Sequence, residues 1–301
     1  MNADPPSSLR NRLRDLDLPV RALLAYGLFT LGIFVIALVY QLPHAEIARI
    51  AIGEATRTAP ISLRFADVSF AFTNGYRFDA LRVSPREQPE RQIVVDELTV
   101  WIPLSSLLLG RTDTVAFSGE LWGGGIEGIA ANEDGKISSS AQLQDVRLQP
   151  LSRLLLDRAG SLGGRASVDL ELSGDGRTTR SSAGRFELSA RDVSLEGIVV
   201  QGFVVPDLTF SDIRARADLE AMRLRIEEAR ADGEELDLSA RGEVLLRDPT
   251  PRSVLNLQFE IDVSEGARPG LRMIPALLPS RRPGQGQKWT LGGSLAAPRV
   301  N

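Results

Sequence analysis

The chain of 301 residues carries 35 basic and 39 acidic side chains, a formal charge of −4, with 43% hydrophobic and 6% aromatic residues. That balance offers no basic surface for a nucleic-acid backbone and no aromatic platform for bases. The absence of cysteine excludes disulfides, thiolate metal sites and a cysteine nucleophile.

Residues 1–21 are polar, open with Asp4-Pro5-Pro6-Ser7-Ser8, and read as a tail without a packed core. The stretch Ala22–Leu42 then holds no Asp, Glu, Lys, Arg or His. As a helix it extends about 31 Å, the thickness of a bilayer's hydrocarbon layer. Its Leu, Ile, Phe and Val residues contribute roughly −5 kcal/mol on insertion scales, where one central Arg costs about 3. A cleaved signal peptide also has a basic start, but its apolar core is only about 7–15 residues and small residues follow it. Leu42-Pro43-His44-Ala45-Glu46 does not supply them. The sequence therefore predicts a transmembrane helix over 22–42. Arg10, Arg12, Arg14 and Arg21 precede it, against His44 and Arg49 after it. By the Lys/Arg bias the tail stays in the cytoplasm and the rest crosses to the other side.

From 43 to 60 the sequence predicts a juxtamembrane helix and linker, with Ile47, Ile50, Ala51 and Ala55 at helical spacing before Pro60. After Ile61 the period changes to two. Ile61, Leu63 and Phe65 alternate, then Val68, Phe70 and Phe72 do so one residue out of phase, which points to a bulge. Alternation recurs at Val168–Leu172, Phe186–Ala190, Leu219–Ile226, Leu236–Leu246 and Trp289–Leu295. Asn74-Gly75, Asp134-Gly135, Asp175-Gly176 and Asp232-Gly233 separate such runs and tolerate the positive φ of tight hairpins. Short helices are expected at Leu104–Leu109 and Leu151–Ala159, with a weaker one at Leu271–Leu278 interrupted by Pro275. Pro249–Pro251 and Arg281–Gln287 read as loops, and Glu187–Asp192 is nearly repeated at Asp237–Gly242. The fold expected is mainly β: a long curved antiparallel sheet over 61–301, with a subdivision near 150–165 left open.

Nothing in the sequence assembles a catalytic, cofactor or metal site. His44 is the single histidine, and no acidic or basic cluster surrounds it, so Ser-His-Asp and His-zinc arrangements are excluded. The pairs Asp96-Glu97, Glu227-Glu228 and Glu234-Glu235 have the composition of an acid/base couple, but alternation or a turn places each in water. Gly119–Gly128 is glycine-rich without the Lys-Ser/Thr of a phosphate loop or a following helix, which leaves close strand packing as the glycines' use. A long sheet with one apolar face and few helices either buries that face against itself or leaves an apolar groove. Such a groove accepts acyl chains or another protein's strand.

Three segments resemble a known family. They are Val100-Trp101-Ile102-Pro103-Leu104-Ser105-Ser106-Leu107-Leu108-Leu109-Gly110-Arg111, then Phe117-Ser118-Gly119-Glu120-Leu121-Trp122-Gly123-Gly124-Gly125-Ile126, and the terminal Leu291–Arg299. They look like AsmA-like envelope proteins, and length, anchor position and the glycine segment are most similar to the type II secretion system protein N family. That resemblance implies a bacterial inner-membrane protein with one N-terminal anchor and a β-rich periplasmic domain. It implies a non-enzymatic role in protein secretion through contacts with other secretion subunits, with no catalytic residues. Its broader relatives imply the alternative of an apolar groove of the β-taco type that binds or transfers phospholipid or lipopolysaccharide.

Overall fold

A computed structural model describes residues 30, 44–57, 61–71, 75–86, 89–108, 113–155, 160–175, 178–200, 203–204, 206–247, 252–272 and 288–300. Apart from Thr30, the expected transmembrane stretch Ala22–Leu42 lies outside them. Among the described residues, no helix is long and apolar enough to cross a membrane.

Helix α1 (His44–Ala55) occupies the expected juxtamembrane stretch, and Thr56 caps its end by donating Oγ1 to the Ile52 carbonyl at 2.7 Å. Residues 52–301 form one compact unit. Its frame is a single antiparallel sheet of 15 strands. The first are β1 (Ile61–Arg64), β2 (Asp67–Ala71), β3 (Gly75–Pro85), β4 (Ile93–Trp101), β5 (Thr114–Leu121), β6 (Gly124–Glu133) and β7 (Lys136–Arg147). Next come β8 (Ser161–Asp175), β9 (Thr178–Glu196), a separate hairpin of β10 (Val199–Val200) and β11 (Phe203–Val204), and β12 (Leu208–Glu220). The sheet ends with β13 (Arg223–Asp232), β14 (Leu236–Leu245), β15 (Val254–Val263), β16 (Lys288–Ser294) and β17 (Ala297–Val300). Strands adjacent in the chain are adjacent in the sheet, except that β1 and β2 both pair with β3 and that β9 pairs with β12 past the hairpin. The strands on either side of the stretch near 150–165, β7 and β8, pair with each other in the one sheet.

The register sorts the connections to two ends. The chain enters at the end where Ile61 lies opposite Pro85, and Arg86 bonds the carbonyls of Thr56 and Ile61 there. To this entry end also belong helix α3 (Gln149–Leu155) between β7 and β8, the β10–β11 hairpin, and helix α4 (Pro269–Arg272) after β15. The far end holds tight turns and helix α2 (Leu104–Leu108) between β4 and β5. Two of the helices pack onto the unit: Ser152 on α3 exchanges hydrogen bonds with the Leu162 backbone, and Leu271 on α4 has no exposed surface.

The expected strands are present, with three differences, while of the expected turns Asn74 and Gly176 lie outside the described residues and Asp232-Gly233 turns without a positive φ. Asp134-Gly135 turns with φ of 52° and 87°, but so does Trp122-Gly123, with 52° and 72°. The alternating stretch Leu219–Ile226 is not one strand. It turns at Ala221-Met222, where φ is 47° and 68°, a left-handed pair without Gly, Asn or Asp to announce it. The phase change between Phe65 and Val68 is not an extra residue: Arg64 opposes Arg82 and Asp67 opposes Asp79, so register is kept. Ala80, at φ 48°, re-phases β3 instead, and Phe78 and Leu81, three apart, are both buried. Of the stretch 271–278 only Leu271 and Arg272 are described, at the end of α4, and the loops at 249–251 and 281–287 lie outside the described residues.

Candidate functional site

Directly opposed residues in an antiparallel pair share a face, so the register can be followed from strand to strand. One line starts at Val68 and runs through Phe78, Leu98, Gly119, Ile126, Leu143 and Val168 to Leu188. It continues through Ala215, Ala229, Ala240 and Phe259 to Trp289. Two residues along each strand, or three across the irregularity in β13, a second line runs from Phe70 and Tyr76 through Val100, Phe117, Gly128, Ala141, Leu170 and Phe186. It proceeds through Ala217, Ile226, Gly242 and Leu257 to Leu291. Neither line contains a charged residue across the breadth of the sheet. This apolar face is the candidate site.

Its two sides are bounded by rings. Phe70 and Tyr76 meet edge-on at 6.0 Å between centroids, and Phe259 stacks on Trp289 at 5.9 Å. Between them the surface is low. A Cβ at Gly128 would lie 2.5 Å from Cζ of Phe117, so that ring lies over the glycine. Leu172 lies over Gly184 in the same way. Most residues of the two lines, including Val100, Phe117, Leu170, Phe186 and Leu188, are half-buried rather than buried. Near the far end Leu172 and Ile137, on the same face, are 38% and 45% exposed, enough for direct contact with a ligand.

The opposite face is mainly polar, although Ile129, Leu245 and Val254 are exposed on it. Arg216 reaches Glu187 at 3.3 Å and Arg185 reaches Asp218 at 3.5 Å across strands, while Arg77 pairs with Glu97. Exposed pairs of this kind contribute up to about 1 kcal/mol each and keep this face in water. Depressions between these side chains, one of about 370 Å³ beside Glu187, Arg214 and Arg216, are lined by both signs of charge.

The carboxylate pairs do not meet. Glu227 and Glu228 form a bulge: Ala217 opposes Ile226 and Arg216 opposes Glu228, so β13 carries one extra residue and both glutamates are exposed. Asp96 is exposed next to Glu97, which the Arg77 hydrogen bond occupies. That bond and the carboxylate's charge raise the Arg77 pKa. Glu235 accepts from Arg268 Nε at 2.8 Å and from its backbone N–H at 3.0 Å, which lowers the Glu235 pKa, the side-chain bond first and the backbone bond second. His44 begins α1. The glycine segment is the β5–β6 hairpin, where Gly119 packs on the Glu97 backbone and Gly124 on that of Gln144–Val146. Among the described residues, no group of three or more His, Asp or Glu is placed to hold a metal ion.

Comparison with family models, with curated proteins and with solved structures finds no match to this chain. The reading of function therefore rests on the residues themselves.

Proposed function

We propose that the chain is a non-enzymatic, single-pass envelope protein, held in a bacterial inner membrane by residues 22–42, whose periplasmic sheet works by non-covalent contact through its apolar face. The resemblance to the type II secretion system protein N family makes the contacted partner another subunit of that machine. The observation that carries the reading is the uninterrupted apolar register from Val68 to Trp289, left half-buried by its own chain. A face of that extent is costly to leave in water without an occupant.

A second reading has its own support. The face is lined by aliphatic and aromatic side chains and glycines, without a charged group in its two central lines. That chemistry suits acyl chains as well as it suits a protein strand, as in AsmA-like lipid carriers. The test is affinity purification of the full-length protein from native membranes, with the eluate divided between proteomics and lipidomics, for the wild type and for Phe186→Asp. Secretion subunits enriched with the wild type and lost with the variant are expected. Stoichiometric phospholipid or lipopolysaccharide without those subunits would replace the first reading by the second, and neither in either eluate would overturn both.

A further inference from the structure

The mainly polar face carries a trough. One depression of about 400 Å³ has Trp101, Glu127, Ile129 and Asp169 on its walls. A second, of about 530 Å³, adjoins it, shares Ile129, Ser140 and Glu171 with it, and reaches Arg185 and Asp218. The register fixes the face. One line of directly opposed residues runs from Trp101 through Ala116, Ile129, Ser140 and Glu171 to Arg185, and the next along the strands holds Ser118, Glu127, Gln142 and Asp169. Between these lines the floor is the backbone of Phe117, Gly128, Ala141 and Leu170, and the side chains of that row belong to the apolar face. Ile129, 42% exposed, is an aliphatic side chain left in water here.

The carboxylates along the trough lack cations. Glu127 stands between Ser118 and Gln142, and Asp169 between Gln142 and Glu187. Glu171 opposes Arg185, but that guanidinium pairs with Asp218, as Arg216 does with Glu187. Among the described residues, Glu127, Asp169 and Glu171 make no ion pair. The basic residues of β4 to β8 stand at the strand ends: Lys136 at the far turn, and Arg147 and Arg165 at the entry end, where Asp145 holds Arg165. Like charges opposed across strands, as Asp169 and Glu187 are, repel, and a cation set beside them relieves the repulsion. A single metal ion does not fit, because Glu127 and Asp169 lie two strand spacings apart, about 10 Å.

We propose that this trough docks an extended, cationic polypeptide segment of a partner protein. An aliphatic side chain of the segment packs on Ile129 and Trp101, and its Lys or Arg side chains lie beside Glu127, Asp169 and Glu171. From β4 to β12 the trough crosses six strand spacings, roughly 29 Å, the length of about nine extended residues. The carboxylates are about 7–10 Å apart, which matches basic residues at alternate positions of such a segment. Charge complementarity selects a cationic protein here, whereas the opposite face has no charge in its central lines to select by. The site goes beyond the function proposed above: it lies on the other face of the sheet and does not depend on residues 22–42.

The probe is a fluorescent nonapeptide alternating lysine with valine, titrated by anisotropy against detergent-solubilised full-length protein, with a glutamate–valine peptide of the same length as control. Glu127→Gln, Asp169→Asn and Glu171→Gln together remove the trough's charge without changing shape. Glu243→Gln, Glu260→Gln and Asp262→Asn remove as much charge from β14 and β15. The lysine peptide is expected to bind the wild type and the β14–β15 variant alike, and the trough variant roughly tenfold more weakly. Added salt should weaken the binding, and the glutamate peptide should not bind. Ile129→Asn should weaken it several-fold with all the carboxylates in place, and Phe186→Asp on the apolar face should leave it unchanged. No binding by the wild type, or equal affinity of the two charge variants, overturns the proposal. Loss with Phe186→Asp also overturns it, by moving the peptide to the apolar face. Capture of secretion subunits is read through Phe186→Asp instead, so either reading can fail without the other.

Discussion

At the scale of single residues, the glycines of one motif do different work. A Cβ on Gly119 would fall on the Glu97 carbonyl oxygen and against the Cα of Leu98, backbone atoms that cannot rotate away. Gly125, six residues on, has nothing within 4 Å of the same position. Gly119→Ala is therefore expected to destabilise by roughly 1–3 kcal/mol, the cost of overpacking. Gly125→Ala is expected to be neutral or to stabilise by up to about 1 kcal/mol by restricting the unfolded chain. Urea unfolding of the two variants measures the difference, and equal losses would mean that these strands are not spaced as described. A second residue-scale expectation concerns acid. The Arg268 hydrogen bonds hold the Glu235 pKa below its unfolded value of about 4.3. A depressed carboxylate contributes stability that is present above the unfolded value and is lost as pH falls through the folded one. Glu235→Gln should lower the urea midpoint at neutral pH and converge with the wild type in acid. A gap that persists at low pH would assign the effect to packing rather than charge.

At the scale of strands, period two was legible wherever it ran undisturbed, as in Val168–Leu172 of β8 or Leu236–Leu245 of β14, and it correctly separated apolar from wet positions. It fails where apolar residues stand three apart. Phe78 with Leu81, Leu143 with Val146, Ala190 with Val193 and Ile226 with Ala229 each keep one face across a re-phasing break. The breaks use Ala80, Asp145 and Asp192 at positive φ, or the extra residue at Glu227-Glu228. Ala and Glu do not announce such a break, and Asp, which tolerates positive φ, is too common along these strands to mark one. Ala221-Met222 hid a hairpin for the same reason, and the apolar β10–β11 stretch carried no alternation to distinguish it from a core strand. The candidate face was legible as a face, but its continuity across the sheet depends on pairing order, which local pattern does not encode. The bulge gives a sharp expectation. Deleting Glu228 brings Ile226 and Ala229 to ordinary two-residue spacing, so the downstream register survives and the fold should persist with only a small loss of stability. Deleting Arg241 from the regular strand β14 instead turns one half of that strand over and should cost the fold. Circular dichroism and thermal unfolding of the two deletions compare them, and equal damage would argue against the bulge.

At the scale of the molecule, a sheet in which each strand pairs with its chain neighbours is nearly one-dimensional. Its backbone ladders tie strand to strand, and β17 and the β1–β2 pair stand at its two sides. In such an array stability is a sum over neighbours, and elements at the ends lose one neighbour each. Local opening should then cost least at the sides and approach the global value in the middle. The middle also has the longest paired strands, β8 and β9, of 15 and 19 residues. Amide exchange of the full-length protein is expected to be slowest in β8, β9 and β12 and to quicken stepwise toward β2 on one side and β17 on the other. If the apolar face instead closed tightly on itself, side strands would gain a packing partner across the fold and protection would be nearly uniform. A graded profile is therefore the signature of a face left open to a partner. The same gradient, remeasured with the partner or lipid that copurifies, should flatten as the sides of the sheet acquire the contacts they lack alone.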